Sequence, residues 1–279
     1  MPFYQFDDVD VIINGSGILA ESASLSQQVA PSQVKSLGYN GVLGVTPSQN
    51  VSNTLVLNYY LDTRKDYGLD YIAYLRSGGC YSQIPDKTYI ALAGVTGEYY
   101  LANLSLRGSP GEPIKISSSY VGFIDVTGSI QNKTNAINYG YLAQSGLAHG
   151  NSLFITNPSN YLTNHTIYDF EYGFRGDWRP EYSIGSKNPA QIQFLAGNEQ
   201  TSFYTDIWSK IQVSGQEVTG YFGIGSSLSR VSIYGLGYLN GNTSFLTTID
   251  LSGMKITNNA EEIRTQDIVR IKIAAERQF

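Results

Sequence analysis

Two histidines, one cysteine and a few neighbouring carboxylates are the groups in this sequence with reach for catalysis or metal binding. His149 and His165 are the only histidines. His149 stands between Ala148 and Gly150 with no acid nearby, and His165 stands between Asn164 and Thr166. Neither has a second histidine at ligand spacing, so neither builds a metal site or a nucleophilic triad. Cys80 is the only cysteine. It cannot form an internal disulfide, and a small buried residue explains it better than a reactive thiol. The pairs Asp7-Asp8 and Glu261-Glu262 are adjacent in sequence, which is not the facing geometry that glycoside hydrolysis needs. Gly235-Leu236-Gly237-Tyr238-Leu239-Asn240-Gly241 follows a strand-like run but leads into Asn242-Thr243-Ser244. With no helix N-terminus to receive a phosphate, hairpin turn chemistry accounts for those glycines. Asp177-Trp178-Arg179 and Trp208 could line a sugar-binding surface, but aromatic residues of β proteins are more often core. The expectation is a chain that is not an enzyme, with no catalytic residues, no cofactor and no metal.

The elements that must position any site follow from composition. The chain has 279 residues, 42% hydrophobic and only 15% charged, with 22 Tyr, 11 Phe, 2 Trp and 29 Gly. Few charges with abundant Tyr, Ser and Gly predict strands and tight turns rather than long helices. Tyr-rich surfaces also suit protein–protein contact. The net charge of -5 argues against an outer surface that holds nucleic acid by counterion release. It does not argue against a channel through which DNA slides without sticking. No basic segment followed by an apolar one opens the sequence, so no signal peptide is expected, and no apolar run is long enough to span a bilayer as a helix.

Internal echoes suggest two halves. Tyr100-Leu101-Ala102-Asn103-Leu104-Ser105-Leu106-Arg107-Gly108 matches Phe245-Leu246-Thr247-Thr248-Ile249-Asp250-Leu251-Ser252-Gly253 in pattern. Each is followed by another alternating run, Ile114-Lys115-Ile116-Ser117 and Val269-Arg270-Ile271-Lys272-Ile273. Asp8 and Asp10 alternate with Val9 and Val11, as Asp169 and Glu171 alternate with Tyr168, Phe170 and Tyr172. Pro31 to Gly38 resembles Pro189 to Gly197. Alternation marks strands with one buried face, and ordered recurrence points to duplication. The expected domains are 1–150 and 151–279, with a seam near Asn151 in a polar stretch from Gln131 to Asn164. Asp66 to Arg76 has the spacing of one short amphipathic helix. Phe203, Ile207, Trp208 and Ile211 share that spacing, and either segment could instead be a strand.

The run from Tyr99 through Leu101, Leu104, Leu106 and Gly108 to Pro110, Pro113, Ile114 and Ile116 resembles the tail tube and tail hub proteins of tailed phages. There, a strand with a Tyr-Leu start enters a Ser-Pro-type turn and a Pro-started alternating strand. Glu21 to Ser26, with Pro31 and Leu37-Gly38, is similar to an earlier part of those proteins. The resemblance implies an all-β fold with minor α content: two tandem tail-tube-like β-sandwich or β-barrel domains, each with at most one short helix. It also implies a virion protein of the tail, assembled in the host cytoplasm, forming a ring around the DNA channel as tube or hub. Implied partners are further copies of itself, other tail tube, sheath or baseplate proteins, and DNA in transient passage, with no membrane. Two domains per chain imply a trimer with pseudo-sixfold symmetry, with a hexamer as the other arrangement. Asp8, Asp10, Asp169 and Glu171 are then candidates for an acidic lumen face that would not trap a polyanion. A peripheral virion β-protein, such as a fibre-attachment, capsid-decorating or glycan-binding module, is the alternative. Tube and hub positions, and phage tail and other contractile injection machines, stay open.

Overall fold

Alternating burial runs through most of the chain, and it resolves into strands. The computed structural model describes residues 10–18, 20–28, 31–38, 40–47, 50–61, 66–79, 87–129, 147–156, 167–206, 230–236, 243–262 and 270–279. The first half contains β1 (Val11–Ile13), β2 (Ser16–Ile18), β3 (Ala20–Gln28), β4 (Pro31–Val34), β5 (Gly44–Pro47) and β6 (Ser52–Tyr60). Helix α1 (Tyr67–Tyr74) follows, continued by one π-helical turn (Leu75–Gly79). Next come β7 (Thr88–Leu92), β8 (Val95–Gly108), β9 (Lys115–Gly122) and β10 (Thr127–Gly128). The remainder is β11 (Leu147–Thr156), β12 (Ile167–Tyr182), β13 (Pro189–Asp206), β14 (Arg230–Leu236), β15 (Thr243–Asp250), β16 (Lys255–Glu262) and β17 (Arg270–Gln278). The all-β class with minor helix expected from the sequence holds. Among the described residues no helix is long and apolar enough to cross a membrane.

Eight strands form one continuous antiparallel path, β3-β6-β9-β8-β12-β13-β17-β16. The path consists of two four-stranded sets with one strand order. In each, the first, second, fourth and third strands of the chain lie side by side: β3-β6-β9-β8, then β12-β13-β17-β16. The sets join where β8 pairs with β12, Ser105 opposite Gly173 and Leu104 opposite Phe174. Their registers match at a recognisable point. Tyr60 stands opposite Lys115 in the first set, and Tyr204 opposite Lys272 in the second. Each lysine lies over its tyrosine ring, at 5.2 and 5.5 Å. One residue back, Tyr59 faces Ile116 and Phe203 faces Ile273. The Ile-Lys-Ile runs at 114–116 and 271–273 therefore occupy equivalent places.

Other sequence expectations shift. The strand echoing β8 at 245–253 is β15, which pairs with β14 in a separate three-stranded sheet with β11. The counterpart of β8 by strand order is β16. Asn151 falls inside β11, which pairs with β14 of the second half. Phe203 lies in β13, not in a helix; Ile207, Trp208 and Ile211 lie outside the described residues.

One hydrophobic cluster spans both sets, with Leu55, Leu57, Leu104, Leu106, Ile116, Phe170, Tyr172, Phe203 and Ile273 all buried. Helix α1 lies against it. Asp66 caps the helix, its Oδ1 accepting from the Leu69 amide at 2.8 Å, and Oδ2 accepts from the Tyr59 hydroxyl at 2.8 Å. Gly68 lets the helix approach β8: a Cβ there would stand 2.5 Å from Leu104 Cδ1.

Tyr59, Tyr120 and Tyr172 are buried, and burial pushes each phenol above its ordinary value of 10.0. Asp66 beside Tyr59 and Glu199 beside Tyr172 add to the effect. The folded state therefore holds these protons to higher pH than the unfolded chain does. Stability should be level from neutrality to about pH 10, then fall as pH rises further, by about 1.4 kcal/mol per pH unit for each tyrosine involved. Urea unfolding from pH 7 to 12 checks this. A midpoint unchanged above pH 10 would contradict it.

Candidate functional site

The eight-stranded path has one face in the core and one in solvent, and the solvent face is built from small polar residues. On β3 it presents Ser22, Ser24 and Ser26; on β9, Ser117 and Ser119; on β8, Asn103 and Ser105. Alternation fixes this, because the intervening Leu104, Leu106, Ile116 and Tyr120 are buried. One transverse row reads Asn58, Ser117, Ser105, Gly173, Gln200, Glu276. Short side chains leave hollows along this row. One of about 360 Å³ is lined by Ser105, Gly173, Gln200, Ser202 and Ala274, among others. Another, of about 530 Å³, is lined by Ser22, Asn58, Ser105, Lys115 and Ser117, among others. They meet at Ser105, so the middle of the sheet is recessed on its polar side.

Charges on this face are balanced. Arg107, Lys115, Arg175, Lys255 and Lys272 stand with Glu21, Asp169, Glu171, Asp177 and Glu276. Lys115 Nζ lies 3.1 Å from Glu21, Arg107 Nε 3.6 Å from Glu171, and Arg175 Nε 3.8 Å from Asp177. Its hydrogen bond to Glu21 raises the Lys115 ammonium above its ordinary value. These exposed pairs contribute little stability. They do cancel one another's field, so the face presents neither a strong attraction nor a strong repulsion to a polyanion.

A polar face on an open all-β sheet invites comparison with known folds. No protein-family model matches the chain. No curated protein matches it. Among solved structures, a chain from the virion of a native gene transfer agent particle is similar, at 11% identity and a TM-score of 0.34. It covers 46% of this chain and 99% of its own. A chain from the tail of an empty gene transfer agent particle, refined with C6 symmetry, has 14% identity and a TM-score of 0.31, with the same coverage. The Dit protein of phage SPP1, described as a paradigm of the hub adsorption apparatus in phages infecting Gram-positive bacteria, has 6% identity and a TM-score of 0.22. It covers 97% of this chain and 99% of its own. TM-scores this low carry no argument about what the chain does.

Three of the four candidate lumen acids lie among the described residues. Asp8 lies outside the described residues. Asp10 is 5% exposed and lies buried just before β1. Asp169 accepts from the Ser109 hydroxyl at 2.8 Å and so ties β12 to the turn after β8. Asp169 and Glu171, alternating with the buried Phe170 and Tyr172, both lie on the polar face, where Arg107 stands beside Glu171. Cations, Arg107 among them, stand beside these acids on that face. The strand and turn motif is placed more simply. Tyr100, Leu101, Leu104, Leu106, Ile114 and Ile116 are buried, Gly108 ends β8 in the interior, Pro110 is exposed in the turn, and Pro113 is half-buried. His149 lies in β11, while His165 and Cys80 lie outside the described residues. Gly235 belongs to the antiparallel hairpin of β14 and β15, with Leu236 opposite Thr243. No group of three metal-ligating side chains occurs among the described residues. Trp178 is turned inward against Tyr100 and Phe194, with both ring centroids at 4.9 Å, and is not displayed for a sugar.

Missed by sequence reasoning was the serine face itself. The period-two serines of Ser22-Ala23-Ser24-Leu25-Ser26 and Ser117-Ser118-Ser119 carried the signal.

Proposed function

We propose that this chain is a structural protein of a phage-like tail, assembling into a ring whose inner wall is the polar face of the eight-stranded sheet. One observation carries the reading: a recessed, charge-balanced face spans both halves of a sheet whose end strands, β3 and β16, each pair on one side only among the described residues. An open sheet with such edges invites pairing with another chain, and a closed ring removes the edges. A hydrated face without net field lets DNA pass without retention. The role has no catalytic step, cofactor or metal. Because each chain supplies two sets of one strand order, three chains would supply six, giving a trimer with pseudo-sixfold symmetry. Its place is the tail of the virion, among tube, sheath or baseplate proteins, after assembly in the host cytoplasm.

Electron micrographs of the purified chain test this. Rings or stacked discs with a central hole wide enough for duplex DNA are expected. A particle that stays a compact monomer at every concentration would overturn the reading, and glycan affinity in such a monomer would favour a peripheral virion module.

A further inference from the structure

The joint inside one chain contains the pattern for the joint between chains. Where the two four-stranded sets meet, the third strand in sequence of one set, β8, pairs antiparallel with the first strand of the next, β12. The sheet ends on the same two kinds of strand. β16 is the third strand in sequence of the second set, and β3 is the first strand of the first set. We propose that β16 of one copy pairs antiparallel with β3 of the neighbouring copy in the register that β8 and β12 already use, closing the ring; this rests on the ring reading above.

The register can be written down. The Tyr60–Lys115 and Tyr204–Lys272 positions fix equivalent residues in the two sets. Counting across from them, Ser24 corresponds to Gly173 and Leu25 to Phe174, since Val56 and Gln200 are their equivalent neighbours. Asn258 corresponds to Ser105 and Ile256 to Leu104, with the bulge at Thr257 absorbing the extra residue. Inside the chain Ser105 faces Gly173 and Leu104 faces Phe174. Between chains, Asn258 therefore faces Ser24 of the neighbouring copy, and Ile256 faces its Leu25. The side-chain alternation agrees. Ile256 is buried and Leu25 packs against the core from a half-buried position, so both apolar residues fall on the interior side. Ser24 and Asn258 are exposed and fall on the polar side. A slip of one residue would set the pleats of the two strands out of phase, with the buried Ile256 opposite an exposed serine of β3. At the Asn258–Ser24, Ile256–Leu25 and Lys255–Ser26 pairs no like charges are opposed, and β3 carries one charged residue, Glu21, to discourage pairing.

Cysteine pairs read the register directly. In a Cys80→Ser background, Ser24→Cys with Asn258→Cys places one thiol on each edge. Directly opposed residues fall within disulfide reach, whereas Gln28→Cys with Asn258→Cys is off by four residues, about 13 Å along the strand. After oxidation, the first variant should give a ladder on a non-reducing gel that ends at the number of chains in the ring, three for the trimer. It should give about tenfold more linked protein than the off-register variant. A mixture of the two single variants should stop at two chains, which excludes a link within one chain. Rings in micrographs without the Ser24–Asn258 link, or with equal linking of the control, overturn this register and leave the ring reading standing. Neither rings nor links would overturn both.

Discussion

Replacing Glu199 by alanine should lower the unfolding free energy by about 3–5 kcal/mol, the cost of removing one partner of a buried ion pair. The Glu199 side chain is fully buried. Arg76, in the π-helical turn, donates to Oε1 from Nε at 3.1 Å and from Nη2 at 2.7 Å. Arg277, directly opposite on β17, donates to Oε2 from Nε at 3.0 Å and also from Nη2. The two guanidinium groups are only 20% and 13% exposed. Without the carboxylate, both cations would sit close together with little water to screen them. The first set shows an apolar solution at the same register, where Leu55 faces Tyr120. Glu199→Leu combined with Arg277→Tyr and Arg76→Leu should therefore recover part of the loss. Recovery is partial because Arg277 also holds the Asp250 carbonyl at 2.9 Å and the Ser252 carbonyl. Urea unfolding of the parent, the single and the triple variant gives these differences. A single variant that unfolds at the parent's midpoint would show that the triad stabilises nothing. The triad also fixes how the halves meet: Arg76 follows α1 in the first half and grips a strand of the second.

How much of this was legible beforehand depends on whether the signal is local. Helix α1 was only half legible: Ile72 and Leu75 have helical spacing within one short segment, but so few residues left a strand equally open until the structure showed the Asp66 cap. The repeated Ile-Lys-Ile run at 114–116 and 271–273 was also visible, and in the structure a cross-strand Lys–Tyr contact accompanies each copy. The echo between 100–108 and 245–253 misled. Any half-buried strand repeats every second residue, and only long-range pairing separates β8, in the main sheet, from β15, in another. The two echo glycines differ as well: Gly108 ends a strand, whereas Gly253 turns the chain at a φ of 86°. Asp10 looked like half of an exposed acidic pair because alternation does not say which side is inside. Glu199 was invisible for a related reason. Its arginines lie 123 and 78 residues away, and one glutamate within a strand gives no hint of either.

Replacing Trp178 by alanine should cost about 3 kcal/mol and loosen one half of the longest hairpin while leaving the other half in place. Pairing between β12 and β8 ends at Arg175 opposite Asn103. Beyond that point β12 and β13 have no backbone partner in β8, and the register shifts at Asp177/Trp178. Trp178 takes over the attachment. Its indole N–H donates to the Leu101 carbonyl at 2.8 Å, beside the bulge in β8. Its ring packs on Tyr100 of β8, Phe194 of β13 and Tyr71 of α1, the last at 6.2 Å. One side chain thus joins the helix, the sheet and the hairpin. Trp178→Phe keeps most of the stacking and orphans the carbonyl, so it should cost about 1–2 kcal/mol and separate the two contributions. Hydrogen exchange should quicken in the alanine variant across residues 177–196 and stay slow at 170–175, where β8 still pairs with β12. Equal exchange in both segments would mean that the hairpin holds itself, and that the tryptophan fills the core without anchoring the arm.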